Sequence, residues 1–439
     1  MNKIFAGLVI LACFITVPLV AQESLPLSLE DALNASLKNN NEIILTSLDE
    51  ERADAMFKQT NAVFLPQIKV SYTAMGTNNP LNAFGFKLQQ QSIGTSDFNP
   101  EMLNNPSATQ NFFTKAEWQQ PILNMDMLYM RRAANEQRAI YTFKSKRTRE
   151  YLAFEVRKAY AQLQLAHQAK IVLQEAKETI HAIYKATDNR FGKGLLQKSD
   201  VLNVQVQVSA IESQLAQAGS NVRNASDYLS SLMGVNAGPV YTVDDVSDVL
   251  PAENTEALLP ENRADFQALQ SALNAQDQMI RSGKMSYMPK LNGFAEYLIN
   301  DNDAFGFGSD SYLVGAQLSW TLFNGTATRN TIHQQRIERD KMAQQLIHQK
   351  EQGQLELNKT LRQEQDARLS LQQYDAAVEQ AAEALRILQN RYQQGLTATN
   401  DVLQSQTLLS QQKLNRAQAV FTINTTRAYA EFLTSTSEQ

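Results

Sequence analysis

Apolar residues recur at alternating spacings of three and four positions in two long parts of the chain. In the first part they are Val201, Val204, Val208, Ile211, Leu215, Ala218, Val222, Ala225, Leu229 and Leu232. In the second part they are Val378, Ala381, Leu385, Leu388 and Tyr392. A sustained repeat of about 3.5 residues is the pattern of a coiled-coil seam. Both parts are therefore predicted to form long helices that pack against other helices.

The placement of proline agrees with long helices. No proline occurs between Pro121 and Pro239, and none follows Pro289. Because proline breaks the interior of a helix, these stretches allow helices far longer than the average of about 11 residues. A helix from Met125 to Thr187 would be about 95 Å long, which is more than the width of a compact domain.

Glycine interrupts each of these stretches near its middle. The first interruption has the sequence RFGKGLLQKSDVLNVQ at 190–205, and the second has RYQQGLTATNDVLQSQ at 391–406. Gly192 and Gly194 in the first, and Gly395 in the second, allow the left-handed conformations that end helices. Each half of the chain is therefore predicted to contain a helical hairpin, with its tip near 190–200 or 391–401.

Ahead of each hairpin, apolar and polar residues alternate with a period of two, as in QIKVSYTA at 67–74. The alternation predicts four strands, at about 64–76, 111–121, 287–300 and 311–323. Charges on the polar face and aromatic residues near the strand ends favour strands of a transmembrane barrel. The alternative is a soluble sheet with one solvated face.

The whole arrangement occurs twice. FLPQI at 64–68 matches YMPKL at 287–291, and the two glycine turns match each other. The first repeat is assigned to 22–238 and contains an N-terminal helix, two strands and a helical hairpin at about 125–233. A linker or equatorial segment follows at 239–261. The second repeat, 262–439, contains a helix, two strands and a hairpin at about 326–433.

The first residues have the features of an export signal. A positive charge at Lys3 is followed by an apolar run, and cleavage after Ala21 would make 1–21 a signal peptide. An uncleaved membrane anchor and lipidation at Cys13 are the alternatives. Because Cys13 is the only cysteine, a cleaved chain would have neither a disulfide nor a cysteine ligand for a metal.

Charge excludes one class of partner. The chain of 439 residues has a formal net charge of -5 and is 43% hydrophobic, so it can bury a core. Without a strongly basic face, nucleic acid is not expected as a partner. His167, His181, His333 and His348 lie singly, and neither a paired-histidine motif nor a phosphate-binding loop occurs. No catalytic residue, metal ligand or cofactor is therefore expected, and the chain is not expected to be an enzyme.

Four strands cannot close a barrel in a membrane, where an open sheet edge is not tolerated. If the strands span a membrane, several copies must share one barrel, and helices of about 95 Å must project from it. The predicted fold is thus mainly α, with transmembrane β-strands and an internal repeat. Five charged residues are expected to face the barrel lumen: Lys69, Lys115, Glu117, Lys290 and Glu296.

Several short motifs together resemble the TolC-like outer membrane efflux proteins. They are LEDAL at 29–33 with NNNE at 39–42, the two proline-containing strand starts, RAD at 263–265, and the two turns with Asp-Val six residues after Gly194 and Gly395. The resemblance covers essentially the whole mature chain. It implies a homotrimer with a twelve-stranded barrel in the outer membrane and a periplasmic tube, or α-barrel, of coiled-coil hairpins.

The resemblance also implies partners and a function. A periplasmic adaptor would dock at the helical tips, and an inner-membrane pump, proton-driven or ATP-driven, would supply the energy. The chain would then be the exit duct of a tripartite efflux system or a type I secretion system. The alternative function is an exported coiled-coil protein that is structural or adhesive and forms no pore. The adaptor-docking residues implied are Gly192, Gly194, Leu195, Gly395, Leu396 and Thr397.

The same resemblance assigns a pore gate. Asp401 matches an acidic residue that forms a constricting ring, whereas Gln404 stands where a second acid often follows. Tyr392 matches a tyrosine that latches neighbouring helices, and Thr397 stands where some members have a latching arginine. Asp200 occupies the equivalent position in the first repeat. A simpler interpretation is that Asp200 and Asp401 stabilise the start of a helix, with Ser199 and Asn400 as its caps.

Overall fold

The computed structural model describes residues 24–244 and 258–436. The predicted signal peptide 1–21, with Cys13, lies outside the described residues, as do 245–257 of the expected linker. The described part of the chain is mainly helical and contains six strands. None of its helices is both long and apolar enough to cross a membrane.

The elements follow the repeat, with two strands and a long helical hairpin in each half. The helices are α1 Leu29–Asn39, α2 Asn41–Gln59, α3 Pro80–Gln89, α4 Pro100–Asn104, α5 Met125–Gly192, α6 Lys198–Leu232, α7 Ala264–Met285, α8 Ala327–Gln393 and α9 Thr399–Thr434. The strands are β1 Ser24–Pro26, β2 Gln67–Thr77, β3 Thr109–Leu123, β4 Val240–Thr242, β5 Lys290–Asp301 and β6 Ser309–Ser319.

The chain divides into two compact units. Within the described residues, the first comprises 24–41, 150–244 and 357–433, and the second comprises 42–149, 258–356 and 434–436. In the first unit, parts of α5 and α8 pack with α6 and α9. The core there is built from residues of all four helices: Leu173, Ile180, Val204, Ile211, Ala381, Leu385, Val402 and Leu409. The predicted coiled-coil seams are therefore confirmed. The short strands β1 and β4 pair in parallel within this unit.

The second unit contains a four-stranded antiparallel sheet in the order β2-β3-β5-β6. The central pair, β3 and β5, joins the two sequence repeats. A register shift interrupts that pairing between Pro121 and Leu123, where proline cannot donate a ladder hydrogen bond. Helices α3, α4 and α7 and parts of α2, α5 and α8 complete the unit.

Several strand ends and one loop differ from the sequence expectation. Strand β2 begins at Gln67, three residues later than expected. Strand β6 ends at Ser319, so Trp320 and Leu322 lie beyond it, and the Trp320 Nε1–H donates to the Tyr287 carbonyl at 2.9 Å. Strand β5 begins at Lys290. The connection between β2 and β3, expected as a loop, contains α3 and α4, each started by an Asn-Pro pair.

Candidate functional site

The turns at the two hairpin tips have the same backbone structure. Gly194 and Gly395 have φ angles of 75° and 80°. The Leu195 amide donates to the carbonyl five residues earlier in the chain at 2.9 Å, and the Leu396 amide does the same. This is a Schellman motif, in which glycine takes the left-handed position and the last helical carbonyls are satisfied. The repeated glycines are therefore required by the turn geometry.

Tyr392 connects the two tips of the first unit and is 4% exposed. Its phenolic oxygen lies 2.8 Å from Thr187 Oγ1 and accepts a hydrogen bond from Thr399 Oγ1 at 3.2 Å. Since Thr187 Oγ1 donates its own hydrogen to the Ile183 carbonyl, the phenol donates to Thr187. The result is a directed chain of hydroxyl groups from α9 through α8 to α5.

Arg190 adds a second connection between the tips. Its guanidinium lies over the Tyr392 ring, with Cζ 4.3 Å from the ring centre. The Nη2–H group donates to the carbonyl of Gln393 at 2.9 Å and also to the carbonyl of Tyr392. A cation is favourable at the carbonyl end of a helix and over an aromatic face. Sequence reasoning assigned no role to Arg190, Thr187 or Thr399, because these contacts join residues about two hundred positions apart.

The two aspartates of the tips stabilise the starts of the returning helices. Asp401 Oδ2 accepts from Thr397 Oγ1 at 2.9 Å and from the Ala398 amide at 3.3 Å. Asp200 Oδ2 accepts from the Gln197 amide at 3.1 Å. Both carboxylates thus reach back to the residue before the helix, as in a capping box.

The expectation that Ser199 and Asn400 cap these helices is wrong. Helix α6 begins at Lys198 and α9 begins at Thr399, so both residues lie inside the first turn. Each helix therefore begins two residues earlier than the sequence suggested. Asp401 and Gln404 are exposed, whereas Asp200 is half-buried.

Among the tip residues expected to bind an adaptor, the two leucines are exposed. Leu195 is 70% exposed and Leu396 is 64% exposed. Thr397 is half-buried, and its hydroxyl donates to Asp401. Gly192 is the last residue of α5, two positions before the left-handed Gly194.

The sheet of the second unit has one charged face. Lys69, Glu117 and Glu296 are successive partners across β2, β3 and β5. Lys115 lies two residues from Glu117 on the same face, with its Nζ 2.6 Å from Glu117 Oε1 and 2.9 Å from Glu296 Oε1. Lys290, at the start of β5, instead pairs with Asp126 at 2.5 Å. Four of the five expected charges therefore form one mixed cluster.

The opposite face of the sheet is apolar and exposed. Ile68 and Val70 on β2 are 72% and 66% exposed, and Tyr312 and Val314 on β6 are 79% and 67% exposed. Exposed apolar residues that lie together in this way mark a surface for a membrane or a partner. Strands β2 and β6 each have only one neighbour in the described sheet, so each leaves one edge unpaired.

The RAD motif at 263–265 is a structural element of the second unit. Arg263 is 4% exposed and forms a bidentate pair with Asp265, at 2.8 and 2.6 Å. Burial raises the pKa of the Asp265 carboxyl, but the hydrogen bonds and charge of Arg263, with Arg147 and Gln349, bring it below its ordinary value. The pair therefore fixes the start of α7.

The sequence matches the outer membrane efflux protein family over residues 32–235 and 257–428. The chain belongs to this family, whose members are outer membrane channels, and the resemblance to TolC-like proteins is confirmed. A search of curated protein sequences found no match.

Solved structures share the fold. The CmeC outer membrane channel of Campylobacter jejuni has a TM-score of 0.77 at 16% identity, over 92% of this chain and 85% of CmeC. The outer membrane protein VceC of Vibrio cholerae has a TM-score of 0.75 at 16% identity, over 92% and 95%. The MtrE outer membrane channel of Neisseria gonorrhoeae has a TM-score of 0.73 at 14% identity, over 93% and 89%.

Proposed function

We propose that three copies of this chain form an exit duct through the outer membrane. The main support for this proposal is the structure of the sheet in the second unit. One of its faces is apolar and exposed, the other carries Lys69, Lys115, Glu117 and Glu296, and both outer strands have an unpaired edge. An apolar face suits lipid and a charged face suits a water-filled lumen.

The unpaired edges require other copies of the chain. A sheet edge in hydrocarbon leaves backbone groups without hydrogen bonds, which costs several kcal/mol per group. Four strands are too few to close a barrel, but edge β2 of one copy can pair with edge β6 of the next. Three copies then give twelve strands with no edge. This agrees with the homotrimer that the family resemblance implies.

The helical hairpins form the periplasmic part of the proposed duct. Their tips carry exposed Leu195 and Leu396 on turns that need the left-handed Gly194 and Gly395. These leucines, with Gly192 and Thr397, would contact a periplasmic adaptor protein. An inner-membrane pump, proton-driven or ATP-driven, would supply the energy, since the duct conducts passively.

The proposed gate lies at the same tips. Asp401 is exposed at the start of α9, and three symmetry-related carboxylates in a narrow passage would attract cations. Gln404 follows on the same helix and adds no charge. Tyr392 and Asp200 would act by holding the tips in position, because Tyr392 is buried and Asp200 is engaged with the Gln197 amide.

Fractionation of cells that produce the full chain tests this function. We expect the protein in the outer-membrane fraction, where it should resist carbonate extraction and migrate as a heat-resistant trimer in detergent. A protein released by carbonate as a folded helical species would contradict the duct. That result would support the alternative of a coiled-coil surface protein without a pore.

A further inference from the structure

A cluster of amide side chains lies at one end of the sheet, opposite to the end where β3 is followed by α5. Asn111 on β3 is fully buried, and its Nδ2 donates to Asn300 Oδ1 on β5 at 3.1 Å. Asn300 is 2% exposed. Burial of two amides at a strand end requires a cover with hydrogen-bonding groups of its own. Residues 78–108, here called the β2–β3 segment, provide that cover.

The β2–β3 segment is attached through the end of α3. Gln90 Nε2 donates to the Gln110 carbonyl at 2.7 Å and to Asn111 Oδ1 at 3.0 Å. The Ser309 hydroxyl, at the start of β6, donates to the Gln89 carbonyl and lies 3.2 Å from the Asn300 carbonyl. Gln90 Nε2 also lies 3.4 Å from the Asp301 carbonyl at the end of β5, so the segment is attached to β3, β5 and β6.

The attachment is on the charged face of the sheet. Asn111 is separated from Lys115 by four residues and Asn300 is separated from Glu296 by four residues, so strand alternation places all of them on one face. The other loop at this end lies on the opposite, apolar face. Phe305 stacks there on Tyr72, with 5.0 Å between ring centres.

Internal contacts make the β2–β3 segment a folded unit. Asp97 accepts from Lys87 Nζ at 2.6 Å and from the Gly94 amide at 2.8 Å. Phe84 and Phe98 form an edge-to-face pair with ring centres 5.9 Å apart. The ion pair, the aromatic pair and the amide cluster raise the free energy of local opening, so this segment is less mobile than a polar loop without such contacts.

We propose that the β2–β3 segment constricts the outer mouth of the duct and limits its cargo to small solutes. The inference rests on the proposed function, since the charged face must line the lumen. Twelve strands about 4.8 Å apart and tilted by about 40° form a ring roughly 24 Å across between backbones. A helix with its side chains is about 10 Å wide. Three such segments on the inner face leave a gap of only a few ångströms.

This size limit decides between two classes of cargo. A polypeptide in helical form needs a passage of about 10 Å, which the attached segments do not leave. Small solutes and hydrated ions pass through gaps between side chains. The geometry thus favours efflux of small molecules over secretion of proteins by this chain.

Cysteine labelling from outside the cell tests the constriction. The only native cysteine, Cys13, lies in the expected signal peptide, so introduced thiols are unique in the mature chain. Ser71→Cys places a thiol on the charged face below the segment, and Val70→Cys places one on the apolar face. Asn302→Cys, in the exposed β5–β6 loop, is the control for access. Intact cells are treated with a small charged maleimide or with a maleimide that carries a bulky polyethylene glycol chain.

The small reagent is expected to label Ser71→Cys and Asn302→Cys but not Val70→Cys. The bulky reagent is expected to label only Asn302→Cys. Adding Gln90→Ala to Ser71→Cys removes part of the attachment and should raise bulky labelling about tenfold, the effect of losing one or two hydrogen bonds. Leu81→Ala, an exposed position of α3, is the matched control and should change nothing. Replacing residues 80–107 by a short glycine-serine turn should give full bulky labelling.

Two outcomes would overturn the inference in different ways. Bulky labelling of Ser71→Cys at the rate of Asn302→Cys, with the segment intact, would show a lumen without a constriction. Equal labelling of Ser71→Cys and Val70→Cys by the small reagent would remove the lumen itself, and with it the proposed duct.

Discussion

The phenol of Tyr392 and the hydroxyl of Thr187 lie 2.8 Å apart, although the two residues belong to different sequence repeats. Both are buried, and the contact joins the last turn of α8 to α5 at a position five residues before the end of that helix. A buried pair of hydroxyl groups is stabilising only while both are present. If one is removed, the other stays buried without a hydrogen-bond partner and without water to replace it. The two tips are thereby held together as one structure.

Removing the Tyr392 hydroxyl should loosen the tips. In Tyr392→Phe, the Thr399 hydroxyl loses its acceptor and Thr187 loses its donor, at a cost of about 1–2 kcal/mol in local opening free energy. Hydrogen exchange of the amides at 187–195 and 391–399 should therefore accelerate by about tenfold. Tyr374→Phe, on the same helix and away from the turn, is the matched control. Unchanged exchange at both tips would show that the hydroxyl chain does not hold them.

The variant Asp401→Asn should distinguish the two roles of Asp401, as a charged pore residue and as a helix cap. Asparagine still accepts hydrogen bonds at the start of α9, so the unfolding free energy should change by less than about 1 kcal/mol. The proposed ring would lose its charge, and block of conductance by divalent cations should weaken by about tenfold. Asp200→Asn makes the same change at the other turn and should leave the block intact. If both variants changed the block equally, Asp401 would not be the specific site of cation block.

Lys115 should set the ion preference of the proposed lumen. Replacing it by methionine leaves Glu117 and Glu296 facing each other across β3 and β5 without their shared cation. The cation-to-anion permeability ratio should rise roughly two- to threefold, as read from the reversal potential in a salt gradient. The double variant Lys115→Met/Glu117→Gln should restore the original ratio. An unchanged reversal potential in Lys115→Met would show that the charged face of the sheet does not contact the permeating ions.

The buried Arg263–Asp265 pair should make stability depend on pH. Because the folded-state pKa of Asp265 lies below its ordinary value, ionisation stabilises the fold above the ordinary aspartate pKa of about 3.9. That stability is lost as the pH falls through the lower folded-state pKa. Asp265→Asn should cost about 3 kcal/mol at neutral pH and flatten the acid end of the stability curve.

Thermal unfolding of the detergent-purified protein between neutral and acidic pH measures this effect. Asp277→Asn, on the same helix, removes an exposed ion pair with Arg339 and serves as the control. Its unfolding free energy should change by less than about 1 kcal/mol. If the two variants lose stability equally at neutral pH, the buried pair has no special role.

Periodicity was sufficient to predict the elements that repeat a simple pattern. The three-and-four spacing identified the helices whose seam residues, such as Val204 and Leu385, are buried. Strict alternation identified the strands and the face that carries Lys115. Both signals depend only on positions near each other in sequence, and each is repeated many times.

Contacts between distant residues were not predicted. Arg190 contacts Tyr392 because two hairpins pack together, and no local sequence pattern predicts such a contact. The short helices α3 and α4 did leave a local signal, since Asn79 and Asn99 cap them and proline follows each cap. Reading those Asn-Pro pairs as helix starts would have found both.

Single-channel recording from the detergent-purified protein in a planar bilayer tests the duct most directly. We expect discrete conductance steps that divalent cations block from one side only, the side of the helical tips. Failure of the protein to produce any steps, when circular dichroism shows it folded and helical, would contradict the duct.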